Sequence, residues 1–346
     1  MTTAPGRGRT GGDQVTIADV ARHAGVAAST VSYVLSGKRA ISAVTRDRVL
    51  ASVRALGYHP NAGARALASR KANVIALVLP LRTGMQVPVV MQFATAVVTT
   101  ARRYDHDVLL VTSDEGPAGL RRIAAAAMVD GVLLMDVELE DSRVPLLREL
   151  ALPSVLIGHP ADATGLACVD LDFHRAGEVC VEHLAGLGHR RVALLGAPAA
   201  VYARGTGFAH RTRAGVLAAA ARLGLDAVTL PCEEGRAAIR RDLASLLDRH
   251  PDIHGLVVQN ESAVGPVLAT LPALGRHVPA DMSVVAVCPD QLAEQAGLTC
   301  VPVPAEEVGR QAVTLLMRRL RDEPVPEVTL LEPRLAVRDS TAGGSR

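Results

Sequence analysis

Apolar residues recur with a helical period at the start of the chain. Ile17, Val20, Ala21 and Ala24 fall on one helical face behind Thr16, which reads as an N-cap with Asp19 three residues on. Gly25 reads as a turn. Val26, Val31, Val34 and Leu35 mark a second helix that closes at Gly37. Ser42 caps a third, which carries Val49, Leu50, Val53 and Leu56 and stops at Gly57. Two helices joined by a tight turn and braced by a third make a helix-turn-helix, whose second helix fits the major groove of DNA. Many helical hairpins share this spacing.

After Pro60 the stretch 61–69 is Ala-rich and holds one large apolar residue, Leu67. A helix so short is marginal in water and would order only on docking. From Asn73 the texture changes to continuous apolar runs of the kind found in strands buried on both faces: Val74–Leu79, Val108–Thr112, Gly131–Leu134, Ser154–Ile157, Val192–Leu195, Gly255–Val258 and Ser283–Val287. Ala-rich helical stretches separate most of them. This alternation predicts parallel sheets with helices on both faces, and its length suits two lobes. Ligands of such sheets sit at the carboxyl ends of strands.

Charge changes the picture. Residues 1–73 hold eleven Lys/Arg against three Asp/Glu, a net of +8, whereas the remainder is net −6. A basic head on an acidic carrier is the asymmetry of a nucleic-acid-binding protein. With three Phe, four Tyr and no Trp, the core must be Ala, Val and Leu. The five cysteines are scattered without metal-ligand spacing, which predicts buried, reduced thiols and no metal. No GxGxxG follows a strand, and there is no GxxxxGK[ST], GxSxG or HExxH, so no cofactor and no enzymatic activity are expected. The leader 1–14 lacks an apolar signal region and no run is long enough to span a membrane, so a cytoplasmic protein is expected.

The first 70 residues resemble the lac repressor (LacI/GalR) family of transcriptional regulators. The string Val15-Thr-Ile-Ala-Asp-Val-Ala-Arg-His-Ala-Gly-Val-Ala-Ala-Ser-Thr-Val-Ser-Tyr-Val-Leu-Ser-Gly37 carries the resemblance, with Leu56-Gly57-Tyr58-His59-Pro60-Asn61. The rest is similar to the family's effector domain through Val129-Asp130-Gly131-Val132, Leu187-Gly188-His189-Arg190-Arg191, Val278-Pro279 and Gly309-Arg-Gln-Ala312. The fold implied is an all-α helix-turn-helix DNA-binding head plus hinge helix, followed by an α/β two-lobed periplasmic-binding-protein-like effector domain with parallel sheets. Expected boundaries are 15–60 for the head, 61–72 for the hinge and linker, 73–337 for the effector-binding and dimerisation domain, and 338–346 for a polar tail. One lobe would hold about 73–166 and 304–334, the other about 167–303. The chain lacks the C-terminal heptad helix of tetrameric members, so a homodimer is expected.

The resemblance also implies roles for residues. Ala28, Ser29 and Tyr33 match positions that contact bases; many members carry Arg where Tyr33 stands, and a capping Ser or Thr where Ala27 stands. Thr16, Thr30, Ser32 and Asn61 are candidates for the DNA backbone. Leu67 matches the hinge leucine that wedges into the minor groove, with Arg65 along the phosphates. Candidate effector contacts are Arg82, Asp114, Asp172, Phe173, Arg204, Arg211, Arg213, Asn260, Glu261 and Asp290. The family's usual Arg, three residues before a Gly-aromatic pair, is replaced by Thr212, with Arg211 and Arg213 alongside. The expected function is a repressor that binds a palindromic double-stranded DNA operator and is controlled by a small-molecule effector. A sugar is the commonest class; a nucleoside, another metabolite or no effector are the alternatives.

Overall fold

The computed structural model describes residues 15–36, 39–58, 71–82, 85–150 and 152–343. The expected leader 1–14, and Asn61, Arg65 and Leu67 of the expected hinge, lie outside these residues. The chain divides into two compact units, residues 1–72 and 73–346.

The first unit contains α1 (Ile17–Ala24), α2 (Ala28–Ser36) and α3 (Ala43–Leu56). Thr16 and Asp19 close a reciprocal capping box on α1: Thr16 Oγ1 accepts from Asp19 N, and Asp19 Oδ2 accepts from Thr16 N at 3.0 Å. Gly25 ends α1 with φ +60°, a left-handed conformation that costs glycine least and turns the chain into α2. Val20, Ala21, Ala24, Val31 and Val49 form the buried core, backed by Val34, Leu35, Val53 and Leu56. Ser42 caps α3 by accepting from Thr45 N at 3.3 Å.

The second unit is two all-parallel sheets with helices on their faces. The first sheet has the order β11-β5-β4-β3-β1-β2, built from β1 (Val74–Val78), β2 (Asp107–Val111), β3 (Gly131–Leu134), β4 (Ser154–Ile157), β5 (Ala167–Leu171) and β11 (Val328–Leu331). The second has the order β10-β9-β8-β6-β7, built from β6 (Arg191–Gly196), β7 (Asp226–Pro231), β8 (Gly255–Val258), β9 (Ser283–Cys288) and β10 (Thr299–Pro302). The helices that matter below are α4 (Val87–Arg102), α5 (Gly116–Ala125), α6 (Val144–Glu149), α7 (Phe173–Gly186), α8 (Ala199–Ala203), α9 (Gly207–Leu223), α10 (Arg236–Arg249) and α11 (Glu261–Thr270). They are followed by α12 (Asp290–Gln295) and α13 (Ala305–Arg319). The chain passes between the lobes three times: after β5, after β10 and after β11.

Three expectations are corrected. The first lobe extends past residue 166, because β5 pairs with β4 and β11 in the first sheet; the passage follows Leu171. Residues 338–342 are no loose tail. Ser340 Oγ donates to Val284 O at 2.6 Å and accepts from Thr299 N at 2.8 Å, and Ala342 N donates to Ser283 Oγ at 3.0 Å, stitching the segment onto the second lobe. The third concerns β2, whose apolar run promised burial on both faces. It is an edge strand, with Leu109 37% and Leu110 43% exposed.

Small side chains let the helices approach closely. On α7, a Cβ at Gly177 would lie 2.4 Å from Thr212 O, and on α9 a Cβ at Gly215 would lie 1.9 Å from His174 O. The two glycines are the contact point of that crossing. All five cysteines are buried and free of disulfides.

Candidate functional site

In the first unit, the α2 residues expected to meet DNA share an exposed face. Ala28, Ser29, Ser32 and Tyr33 are exposed, whereas Val31 is fully buried and Val34 and Leu35 turn toward the core. Burial of one face fixes which side of the helix a partner can reach. Thr30 is half-buried. Ala27 carbonyl accepts from Thr30 N and Val31 N at the start of α2, but its methyl side chain supplies no cap. Thr16 is exposed, and its hydroxyl also donates to Asp19 Oδ2 at 2.6 Å. The Arg39 guanidinium stands 5.8 Å from the Tyr33 ring centroid, within cation–π range.

In the second unit, a cavity of about 180 Å³ opens at the carboxyl ends of the strands of both lobes. Phe93, Met135, Phe173, Val201, Phe208 and Val287 supply apolar wall. Asp136, His159, Asp170, Arg204, Arg211 and Glu261 supply the charged or titratable part, with Gln259 and Asn260. Backbone bonds hold the lobes around it: Gly207 N donates to Val137 O at 3.0 Å and Leu139 N to Gly205 O at 2.8 Å. Gln86 Nε2 also crosses to Glu234 Oε1 at 2.7 Å.

Of the ten candidate effector contacts, Phe173, Arg204, Arg211, Asn260 and Glu261 line this cavity, and five do not. Arg82 grips Asp114 with two bonds at 2.8 and 2.9 Å and also bonds Asp136, so this pair is a structural brace beside the cavity. Asp172 caps α7 by accepting from Arg175 N. Arg213 stacks 4.7 Å from the Tyr202 centroid. Asp290 is bound by Arg338 at 2.6 Å. Asn260 is occupied on every side-chain atom: Nδ2 donates to Cys232 O, and Oδ1 accepts from Ser262 N and Oγ. Its work here is to cap α11.

Asp136, His159, Asp170 and Gln259 were not anticipated. Each stands at or just beyond the carboxyl end of a strand, and that position is the signal that could have found them. Arg211 Nη2 donates to Pro160 O at 3.2 Å and stands 3.0 Å from His159 Nδ1, which is itself 3.2 Å from Pro160 O. Burial, then the Arg211 charge, holds His159 below the usual histidine range. Burial pushes the Asp170 carboxyl up to about 7 against the pull of Arg211. Burial likewise pushes Glu261 up to about 7. Gln259 Nε2 donates to Thr212 Oγ1 at 2.7 Å, so the threonine that replaces the usual arginine orients the glutamine. Gln259 Oε1, Arg204 Nε and Arg211 Nη1 are buried with no hydrogen-bond partner among the described residues.

Among the described residues no helix is long and apolar enough to cross a membrane, and no group of three or more His, Cys, Asp or Glu is placed to hold a metal ion.

Residues 16–61 match the family described as bacterial regulatory proteins, lacI family, and residues 181–341 match the periplasmic binding protein-like domain. The transcriptional regulator CelR of Thermobifida fusca is 32% identical over 337 residues, covering 94% of this chain and 98% of the relative. Catabolite control protein A of Staphylococcus xylosus is 27% identical, covering 94% and 99%. A solved complex of a transcriptional regulator CelR with cellobiose superposes with a TM-score of 0.66 at 28% identity, covering 94% of this chain and 99% of that one. The lac repressor dimer bound to operator and the anti-inducer ONPF superposes with a TM-score of 0.83 over 95% of this chain and 100% of that one, a likeness of fold at 23% identity. With a three-helix head, a two-lobed parallel body and a relative matched along nearly its whole length, the chain belongs to the lacI family of bacterial regulatory proteins and is a DNA-binding transcriptional regulator.

Proposed function

We propose that the chain is a repressor that reads a palindromic operator as a homodimer and is switched by a small molecule held in the cavity between its lobes. The observation that carries the DNA reading is the exposed face of α2. Ser29 offers a hydroxyl to base edges, Ala28 a methyl to thymine, and Tyr33 with Arg39 a larger contact beside them. Thr16, Thr30 and Ser32, with Asn61, hold the phosphates and fix register. Leu67 and Arg65 enter the minor groove at the centre of the site.

Two observations support the dimer. Val87, Met91 and Val98 leave an exposed apolar stripe on α4, and Leu109 and Leu110 are exposed on β2, against which α4 packs. Thr95 and Thr99 on the same helix turn their hydroxyls back to Met91 O and Thr95 O, which keeps that surface less polar than its sequence suggests. A sugar bound by the CelR relative makes a saccharide or a related metabolite the reading for the effector.

Selection of binding sites from random duplex DNA with the full-length protein tests the function. The expected result is a palindrome with half-sites about one helical turn apart. No enrichment, with or without added sugars and metabolites, would overturn it.

A further inference from the structure

We propose that the ligand of the cavity is a single-ring organic carboxylate, its carboxylate taken by Arg204 and Arg211 and its ring by the apolar wall. This rests on the reading of the cavity as the effector site, and narrows it to a chemical class.

Size comes first. The cavity measures about 180 Å³. An apolar cavity of about 150 Å³ holds one benzene. One substituted six-membered ring therefore fits. The wall comes second. The rings of Phe173 and Phe208 stand 5.6 Å apart, tilted by 49°, and Phe93, Met135, Val201 and Val287 extend the apolar surface. Such a wall suits a ring face better than a belt of hydroxyls.

Charge decides the class. Arg204 Nε and Arg211 Nη1 are buried without a partner, and the Arg204 guanidinium makes no hydrogen bond among the described residues. A buried guanidinium N–H left without an acceptor is costly. Three carboxyls line the cavity, and none of them hydrogen-bonds to these guanidiniums, although Asp170 and Arg211 act on each other through their charges. Arg82 binds Asp136. Asp170 Oδ1 accepts from Leu171 N, and no hydrogen bond joins it to Arg211. Glu261 opens α11 with no side-chain cation bonded to it among the described residues. Burial keeps both Asp170 and Glu261 near half-protonated at neutral pH. A carboxylate bound beside these guanidiniums would supply acceptors for their free N–H groups, and charge-assisted bonds of this kind are the strong ones. The protonated forms of Asp170 and Glu261 then avoid repelling it. The groups that set this balance are Arg211, Asp172 and Cys168 around Asp170, and Cys288 near Glu261.

The sign of the pH dependence separates this class from a neutral polyol. A carboxylate binds less tightly as Asp170 and Glu261 ionise, so its affinity falls as pH rises through about 7. A polyol that donates to those two acids binds better as they ionise.

Titration calorimetry of the full-length protein would compare glucuronate with glucose, benzoate with benzyl alcohol, and cellobiose as the two-ring sugar. At least one acid should bind about tenfold or more tightly than its neutral counterpart, and weaken from about pH 6.5 to about pH 8. Which acid does so tells a sugar acid from an aromatic one. Arg211→Gln and Arg204→Gln should each cost that acid about tenfold or more, with Arg211→Lys recovering part of the loss and ligand-free melting confirming the fold. Equal affinity for acid and neutral counterpart, affinity that rises with pH, or no acid binding at millimolar concentration would each overturn the proposal. If operator selection still yields a palindrome, only the ligand class has failed; if selection fails too, the reading beneath it has failed.

Discussion

Asp170 spends its working life inside β5, 7% exposed, with one backbone donor and an arginine near but not bonded. An unfolded carboxyl titrates near 3.9, and this one near 7 in the fold. Between those values the folded state keeps a proton that the unfolded state has released. Its contribution to stability is therefore full below about pH 4, falls as pH rises to about 7, and changes little above. Asp170→Asn removes that slope. At about 1.4 kcal/mol per pKa unit, the variant should gain roughly 2–4 kcal/mol on the parent between pH 4 and pH 8, read by urea denaturation at both ends. Parallel pH profiles would mean that Asp170 ionises normally. On α2, Tyr33 and Arg39 carry a different expectation. Arg39→Ala should weaken binding to the selected operator about tenfold and relax preference at the base pair beneath Tyr33, in a gel-shift series over single-base variants. A uniform loss across all sequences would reduce Arg39 to a phosphate contact.

Elements depend on what their residues leave empty. Gly215→Ala would drive a methyl into His174 O across the α7–α9 crossing and should cost about 1–3 kcal/mol in thermal or urea unfolding. Gly186→Ala, on the same α7 but in open space, should be neutral or stabilising by up to about 1 kcal/mol. Local sequence does not show why Gly215 must be small; the need arises from a backbone more than thirty residues away. The same contrast runs through the strands. Runs such as Gly131–Leu134, Ser154–Ile157 and Gly255–Val258 were legible to the residue, because both faces are buried and nearly every position is apolar or small. β5 was not, since Asp170 interrupts it. β7 and β11 are edge strands with half-wet faces, and β10 is four residues ending in proline. The DNA-facing side of α2 was readable from local spacing. Cavity residues such as Gln259 and His159 were not, because their meeting is made by sheet topology.

At the scale of the molecule, the open question of assembly has a surface to answer for it. Val87, Met91, Val98 and Leu110 are 50%, 42%, 38% and 43% exposed on neighbouring elements of the first lobe. The helix buries Ala94, Val97 and Ala101, and Val87, Met91 and Val98 continue that apolar stripe past its buried edge, where it needs a partner. A second copy of the chain supplies it by two-fold symmetry, which matches a patch to itself and pairs two heads for a two-fold operator. Met91→Asp with Leu110→Asp places like charges opposite each other across such an axis and should convert the protein to a monomer in sedimentation velocity. The substituted positions face solvent in the single chain, so its own melting should move by no more than about 0.5 kcal/mol. Operator affinity should then fall by well over tenfold, because each head must find its half-site alone and loses the high effective concentration its partner conferred. A variant that stays dimeric would move the interface elsewhere on the body. A monomer that keeps full operator affinity would separate DNA reading from dimerisation altogether.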